Sequence, residues 1–214
     1  MASQILTVHS KTPELRKIKA IAETLKNGAV ILFPTDTGFA LGCELSNRDA
    51  INRIRMIRKI PETKELTFLC NSLSNIAEFA RVSNQAYKTI KRLIPGPYTF
   101  VLPASKQVPK FAQTAKRNTA GIRVPENDLS QLLLIELGAP LISITAKRDD
   151  KIYINEPDEL VKTFAPLVDL AVRSDEYSFS GESTVIDMTT DEFKIIRHGA
   201  GIARVLDYVD VENE

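Results

Sequence analysis

The run Ala29-Val30-Ile31-Leu32-Phe33-Pro34-Thr35-Asp36-Thr37-Gly38-Phe39-Ala40-Leu41-Gly42-Cys43 places two apolar stretches either side of a short polar turn. Residues 29–33 read as a buried strand, and an apolar partner near 39–44 follows the turn. A strand that stops at small hydroxyl residues and a glycine can present N–H and O–H groups to a ligand at a sheet edge. The same residues also make an ordinary turn, so this segment alone leaves both readings open.

Working outward, strands and helices alternate. Thr12-Pro13 reads as an N-cap followed by proline at the first helical position. Leu15, Ile18, Ile21 and Leu25 then recur at helical spacing up to Asn27-Gly28. A helix over 48–60 turns Ile51, Ile54 and Ile57 inward and leaves Arg53, Arg55 and Arg58 to solvent. A strand at 66–70 precedes a short helix at 74–81. Ser83 caps the next helix, whose inner face is Ala86, Tyr87, Ile90, Leu93 and Ile94, with Lys88, Lys91 and Arg92 opposite. Pro95-Gly96-Pro97 ends it. Then come a strand at 98–103, a basic helix near 108–116, a strand at 119–124, a helix at 128–137 and a strand at 140–145. A helix near 157–165, a strand near 167–172, a polar loop at 174–183 and two β-branched runs at 184–188 and 193–197 complete the chain before Gly199-Ala200-Gly201. This alternation predicts an α/β fold: a twisted, open, mixed β-sheet flanked by helices. The 214 residues read as a single domain.

With 43% hydrophobic and 26% charged residues, the composition is that of an ordinary soluble protein. No apolar run approaches the roughly 20 residues of a membrane span, no signal-peptide pattern opens the chain, and Cys43 and Cys70 sit in apolar runs as reduced core thiols. A cytoplasmic location is expected. Net charge is only +1, yet residues 53–123 carry fourteen Lys and Arg against three acids. Such a basic segment suits phosphates of a nucleotide or polynucleotide, or else forms solvated helix faces.

The only histidines, His9 and His198, lie near opposite ends, leaving little material for a histidine metal site or triad. There is no G-x-x-x-x-G-K-[ST], and Gly199-Ala200-Gly201 opens no dinucleotide fingerprint. The chemistry on offer is a set of hydroxyls and cations at strand ends: Thr35, Thr37, Arg123, Ser143, Thr145, Ser183, Thr184 and Arg197. Around one crevice they would bind phosphates and carboxylates and support a reaction run by positioning and charge stabilisation. Asp36 is a candidate to help hold Mg²⁺.

Five motifs occur in order: Phe33-Pro34-Thr35-Asp36-Thr37 with Gly42-Cys43, Pro95-Gly96-Pro97-Tyr98-Thr99, Gly121-Ile122-Arg123-Val124-Pro125, Ser183-Thr184-Val185-Ile186-Asp187, and Ile196-Arg197-His198-Gly199. Together they resemble the YrdC family, whose best-known members are threonylcarbamoyl-AMP synthases, over about residues 14–200. The resemblance implies a YrdC-like sheet with a basic concave surface associated with double-stranded RNA and tRNA. It also implies a reaction in which L-threonine captures bicarbonate as a carbamate that attacks the α-phosphate of ATP and expels pyrophosphate. The product feeds threonylcarbamoylation of a tRNA adenosine. By matching motif, Thr35, Arg123, Ser143 and Ser183 would contact threonine, and Thr119, Thr145 and Arg197 the nucleotide, with Lys64 near the phosphates. Mg²⁺ is expected to accompany ATP. On this reading Arg123→Ala removes threonine binding with little loss of stability.

Two segments depart from the synthase pattern. Arg58-Lys59-Ile60-Pro61 has isoleucine where synthases carry the arginine of Lys-x-Arg, and Thr145-Ala146-Lys147 has lysine where they carry the asparagine of Ser-x-Asn. These changes place the chain nearer the YciO-like branch. A lost phosphate-binding guanidinium costs about 1.5–3 kcal/mol, or roughly tenfold or more in affinity. Arg58, Lys59 and Lys147 are the candidates to restore that charge. The alternative is a non-catalytic double-stranded RNA- or tRNA-binding protein of the same fold. Carbamoyl transfer through an adenylate, as in the related domain of hydrogenase-maturation proteins, is a third and less favoured reading.

Overall fold

A computed structural model describes residues 4–112, 118–147 and 156–209. Its strands are β1 (Gln4–Val8), β2 (Ile31–Thr35), β3 (Gly38–Glu44), β4 (Thr67–Leu69), β5 (Tyr98–Pro103), β6 (Thr119–Arg123), β7 (Leu141–Thr145), β8 (Leu170–Ser174), β9 (Thr184–Asp187) and β10 (Lys194–Arg197). They form one mixed sheet in the order β1-β8-β2-β3-β7-β4-β6-β5-β9-β10. The helices are α1 (Leu15–Lys26), α2 (Arg48–Arg58), α3 (Leu73–Phe79), α4 (Asn84–Leu93), α5 (Asp128–Leu137), α6 (Pro157–Phe164) and α7 (Ile202–Leu206). The expected open mixed sheet flanked by helices is the observed architecture.

The two faces are covered unequally. One face buries Leu41, Cys43, Phe68, Phe100, Ile122 and Ile142 against α2, α3, α4 and α6. On the other, α1 and α5 lay Ile18, Ile21, Leu25, Leu129 and Leu133 onto Ile31, Phe33, Ala40, Leu69 and Leu141. That layer stops there: β5, β6 and β9 contribute nothing to it. Register fixes what lies beyond. Gly42 pairs with Ser143, Ser143 with Thr67, and Thr67 with Gly121. Paired residues share a face and alternate residues return to it, so Ser143, Thr145, Thr67, Thr119, Gly121 and Arg123 lie on the same face as Leu141. Half of one sheet face therefore carries short polar side chains.

Several expectations need correction. α1 begins at Leu15, and its N-cap Glu14 makes no side-chain cap bond. The Thr12 N–H instead donates to His9 Nδ1 at 3.1 Å, while the Glu14 carboxylate accepts the His9 N–H at 3.1 Å. Arg55 and Arg58 are buried, and only Arg53 of the three is half-exposed; Arg58 Nη1 donates to the Lys147 carbonyl just after β7. Tyr87 is exposed, leaving Ala86, Thr89, Ile90 and Leu93 as the buried side of α4. The described part of the expected 108–116 helix is one 3-10 turn, Lys110–Ala112; residues 113–117 lie outside the described residues. Strand β8 starts at Leu170, later than expected, since Ala165–Leu167 prolong α6 as a 3-10 turn. Strand β1 and helix α7 were not foreseen. β1 is short and mostly exposed, so it lacks the apolar run that marks a buried strand.

Two glycines are held for different reasons. A Cβ on Gly199 would lie 2.4 Å from the Glu182 carbonyl oxygen and 2.6 Å from the Ser183 carbonyl carbon, whereas Gly138 has φ +70° and open space around it. Gly199→Ala is expected to cost about 2 kcal/mol or more through backbone displacement, and Gly138→Ala about 1 kcal/mol through its left-handed conformation alone. Urea midpoints at unchanged m-value measure both. Burial pushes the Cys43 thiol up to about 12 and the Cys70 thiol higher still. Both should resist iodoacetamide at pH 8 until the protein unfolds. The raised thiols contribute stability that is complete below about pH 8.5 and declines as pH rises through the folded value, which an alkaline urea series reads.

Candidate functional site

The polar half-face forms the floor of a cleft of about 130 Å³ lined by Thr35, Thr37, Lys64, Thr67, Thr99, Arg123, Ser143, Thr145, Ser183 and Arg197, among others. Its first wall is the turn after β2. Thr35 Oγ1 donates to the Gly38 carbonyl at 2.8 Å and accepts the Thr37 N–H at 3.2 Å. These bonds hold the turn shut locally and leave the Thr37 hydroxyl facing Arg123.

Arg123 ends β6 and is almost wholly enclosed. Its Nη2 pairs with the Asp36 carboxylate, its Nη1 donates to Thr37 Oγ1 at 2.6 Å, and its Nε lies 3.4 Å from the Gly96 carbonyl oxygen. The Arg123 and Asp36 side chains are 8% and 10% exposed, a depth at which an unpaired charge would be strongly unfavourable. Burial lowers the Arg123 pKa, Asp36 opposes that shift, and the nearby Arg197 adds to it. Two guanidiniums thus reach one cleft, Arg123 beside Asp36 and Arg197 beside Glu182. The Asp36 carbonyl accepts the N–H and hydroxyl of Ser180 at 2.8 and 2.9 Å, tying the loop before β9 to this turn. Behind that tie, the rings of Phe39, Tyr177 and Phe179 pack with centroids 5.2–5.6 Å apart.

The opposite wall comes from β5, β9 and β10. The Thr99 and Ser183 hydroxyls are 2.9 Å apart. Arg197 donates through Nε to the Ser183 carbonyl and through Nη2 to Ser183 Oγ, both at 3.0 Å. Its Nη1 lies 3.7 Å from Glu182, whose other oxygen pairs with Lys147 Nζ.

Of the residues expected from sequence, Thr35, Arg123, Ser143, Ser183, Lys64, Thr145 and Arg197 line this one cleft. Thr119 lines a neighbouring groove of about 320 Å³ with Val101, Pro103, Asp187 and Thr189. It shares the face and the strand of Arg123, roughly 13 Å away at 3.3 Å per residue. Arg58 is buried, and Lys59, left-handed at φ 51°, lines a separate concavity with Arg55 and Glu62. Asp36 faces a guanidinium, and no group of three His, Cys, Asp or Glu able to hold a metal exists among the described residues. No described helix is long and apolar enough to cross a membrane. The sequence reading passed over Thr67, Thr99 and Glu182. None of the three carried a local signal: Thr67 and Thr99 are single threonines in otherwise largely apolar strands, and Glu182 lies in a polar loop.

The sequence and the fold are matched in known proteins. A family model of Sua5, YciO and YrdC proteins, described as Telomere recombination, matches residues 23–199. The chain belongs to this family. It is 38% identical to an uncharacterized protein of Haemophilus influenzae and 36% identical to the uncharacterized protein YciO of Escherichia coli, in each case over 93% of this chain and 97% of the relative. A threonylcarbamoyl-AMP synthase of Hydrogenovibrio crunogenus is 29% identical over 72% of this chain and 84% of its own length. The crystal structure of Escherichia coli YciO superposes with a TM-score of 0.87 at 35% identity, covering 95% of this chain and 98% of that one. The crystal structure of P. abyssi Sua5 complexed with L-threonine gives a TM-score of 0.86 at 26% identity, covering 96% of this chain and 61% of that one.

The buried pair revises the expected effect of removing Arg123. Arg123→Ala leaves the Asp36 carboxylate enclosed without its cation, which should cost about 3–5 kcal/mol of stability. The Asp36→Ala/Arg123→Ala double variant should recover part of that loss. Urea denaturation of both single variants and the double variant measures the coupling, and a neutral Arg123→Ala would contradict the pairing.

Proposed function

We propose that the protein adenylates a carbamate of L-threonine, in the manner of threonylcarbamoyl-AMP synthases. The observation that carries this reading is the convergence of Thr35, Arg123, Ser143 and Ser183 with Lys64, Thr145 and Arg197 in one cleft. The threonine amine and bicarbonate combine with loss of water. A carbamate oxygen then attacks the α-phosphorus of ATP, and the bond to the β-phosphate breaks to release pyrophosphate. Arg123 and the hydroxyls of Thr35, Ser143 and Ser183 orient the amino acid, while Arg197 and Lys64 stabilise charge on the phosphates.

Volume favours this division of labour. About 130 Å³ falls below the roughly 300 Å³ at which drug-sized pockets begin, so the cleft suits the amino acid and its reacting group. The nucleotide then extends along the uncovered face toward Thr119. Mg²⁺ arrives on the phosphates of ATP, since Asp36 is already engaged by Arg123 and Mg²⁺ commonly binds through substrate phosphates. P. abyssi Sua5, whose fold this chain shares, is complexed with L-threonine, which supports threonine as the amino acid.

Purified protein given ATP, Mg²⁺, bicarbonate and threonine should release pyrophosphate only when threonine is present; no threonine-dependent product at high enzyme concentration would overturn the reading. A second reading, binding of duplex RNA or tRNA without catalysis, draws on the exposed Lys88, Lys91 and Arg92 of α4 and the basic balance of residues 53–123. It requires affinity that falls steeply with salt as counterions are released, and salt-independent affinity would count against it.

A further inference from the structure

Arg55 is charged, only 8% exposed and without a counter-ion. Its Nη1 is enclosed and has no hydrogen-bond partner. The other two buried arginines are held by the protein itself: Arg123 pairs with Asp36, and Arg58 donates to the Lys147 carbonyl. Buried polar groups in folded proteins almost always have partners, and burying an unpaired charge is strongly unfavourable. Burial accordingly lowers the Arg55 pKa. Glu62 opposes that shift, but among the described residues no ion pair joins Arg55 to a carboxylate.

Arg55 borders a concavity of about 290 Å³ together with Asn52, Met56, Lys59, Ile60 and Glu62, none of which lines the cleft. Residues 52, 55, 56 and 59 are three or four apart and so share one side of the C-terminal end of α2. The helix end is closed there. The Lys59 and Ile60 N–H groups donate to the Met56 and Arg55 carbonyls at 3.2 and 3.1 Å, so these carbonyls are satisfied within the backbone. Asn52 and Lys59 are exposed and add an amide donor and an ammonium to the guanidinium. Two cations therefore stand against the single carboxylate of Glu62. Such a donor set suits an oxyanion, and a phosphate offers it at least one more terminal oxygen than a carboxylate does.

We propose that this concavity is a second anion site, separate from the cleft, which binds a phosphate group through Arg55, Lys59 and Asn52. The phosphate meets the part of the guanidinium that borders the concavity. It compensates the whole group, because the charge is delocalised over all three nitrogens. The space exceeds that of the cleft, about 290 against 130 Å³, and approaches the roughly 300 Å³ at which small-molecule pockets begin. It accepts free phosphate or the phosphate of a small monoester, whose organic part would lie against Met56 and Ile60. The inference is independent of the synthase reading.

Calorimetric titration with inorganic phosphate and with AMP tests this on the full chain, Arg55→Met and Arg197→Gln. Methionine keeps the apolar stem of Arg55 and removes its charge. Arg55→Met should weaken one phosphate site by at least ~10-fold. Arg197→Gln, which alters the cleft, should leave that site within about twofold. Tighter binding of AMP with the same dependence on Arg55 identifies a monoester as the source of the phosphate, and equal binding identifies free phosphate. Identical titrations of the full chain and Arg55→Met overturn the proposal. So does a loss confined to Arg197→Gln, which would put the phosphate in the cleft. Urea midpoints add a readout that simple damage to the fold does not mimic. Without phosphate, Arg55→Met should unfold at the same or a higher urea concentration, since the guanidinium leaves no partner behind. With phosphate, the full chain should gain more stability than the variant. A marked loss of stability in Arg55→Met without phosphate would mean that the protein itself holds the guanidinium, and the site falls. Threonine-dependent pyrophosphate release should be unchanged in Arg55→Met, which keeps failure of this site distinct from failure of the synthase reading.

Discussion

The pairing of Arg123 with Asp36 is the constraint on which the cleft depends. It joins the end of β6 to the turn after β2, two segments that are far apart in the sheet order and are not hydrogen-bonded to each other as strands. A guanidinium this enclosed is tolerable only beside a carboxylate, so the turn cannot drift from β6 without uncovering a costly charge. The same turn accepts two bonds from Ser180, so the loop before β9 is positioned indirectly by that ion pair. Three of the cleft's edges are thereby referred to one interaction, which is how a shallow sheet surface becomes a pre-organised site.

The sheet makes the space that this pair defines. Helices α1 and α5 cover only the half of their face that is lined by Phe33, Leu141 and their neighbours. Beyond it, Thr67, Ser143 and Gly121 stand in register. Short polar side chains there provide no apolar surface for a helix to bury, and they supply donors and acceptors close to the backbone plane. The apolar partners Phe68, Ile122 and Ile142 point the other way and are fully buried. Each of these strands thus stabilises the fold with one face and lines the cleft with the other.

That division explains what was readable in the sequence. β7 alternates isoleucine with serine and threonine, so that strand and its polar face were legible as a period of two, whereas β5 and β6 were legible as strands but carry no such alternation. Helix α5, with Asn127 as its cap and Gly138 at its end, was legible to the residue. The failures share a cause: tertiary contact overrode a local pattern. Arg55 and Arg58 occupy solvent positions by helical spacing yet are buried, Arg58 against the Lys147 carbonyl, and β1 is placed by its parallel pairing with β8. In the site, the hydroxyls and arginines announced themselves by residue type and strand-end position. The salt bridges did not, because Asp36–Arg123 and Lys147–Glu182 span separations of 87 and 35 residues, and no local rule couples such positions.

The departures from the synthase pattern are also easier to understand as a connected change. Replacing asparagine by Lys147 adds a charge to a largely buried position, which requires a counter-charge nearby. Glu182 provides it, and Arg197 shares it. The same residue's carbonyl receives Arg58, from the segment in which Ile60 has replaced the second cation of Lys-x-Arg. One departure leaves no cation at Ile60, which lines a concavity separate from the cleft, and the other places a cation with its partner just after β7. Lys147 comes with its own counter-charge, so it does not by itself make good the missing arginine. Thr35, Arg123, Ser143 and Ser183, which line the cleft, lie outside both departing segments.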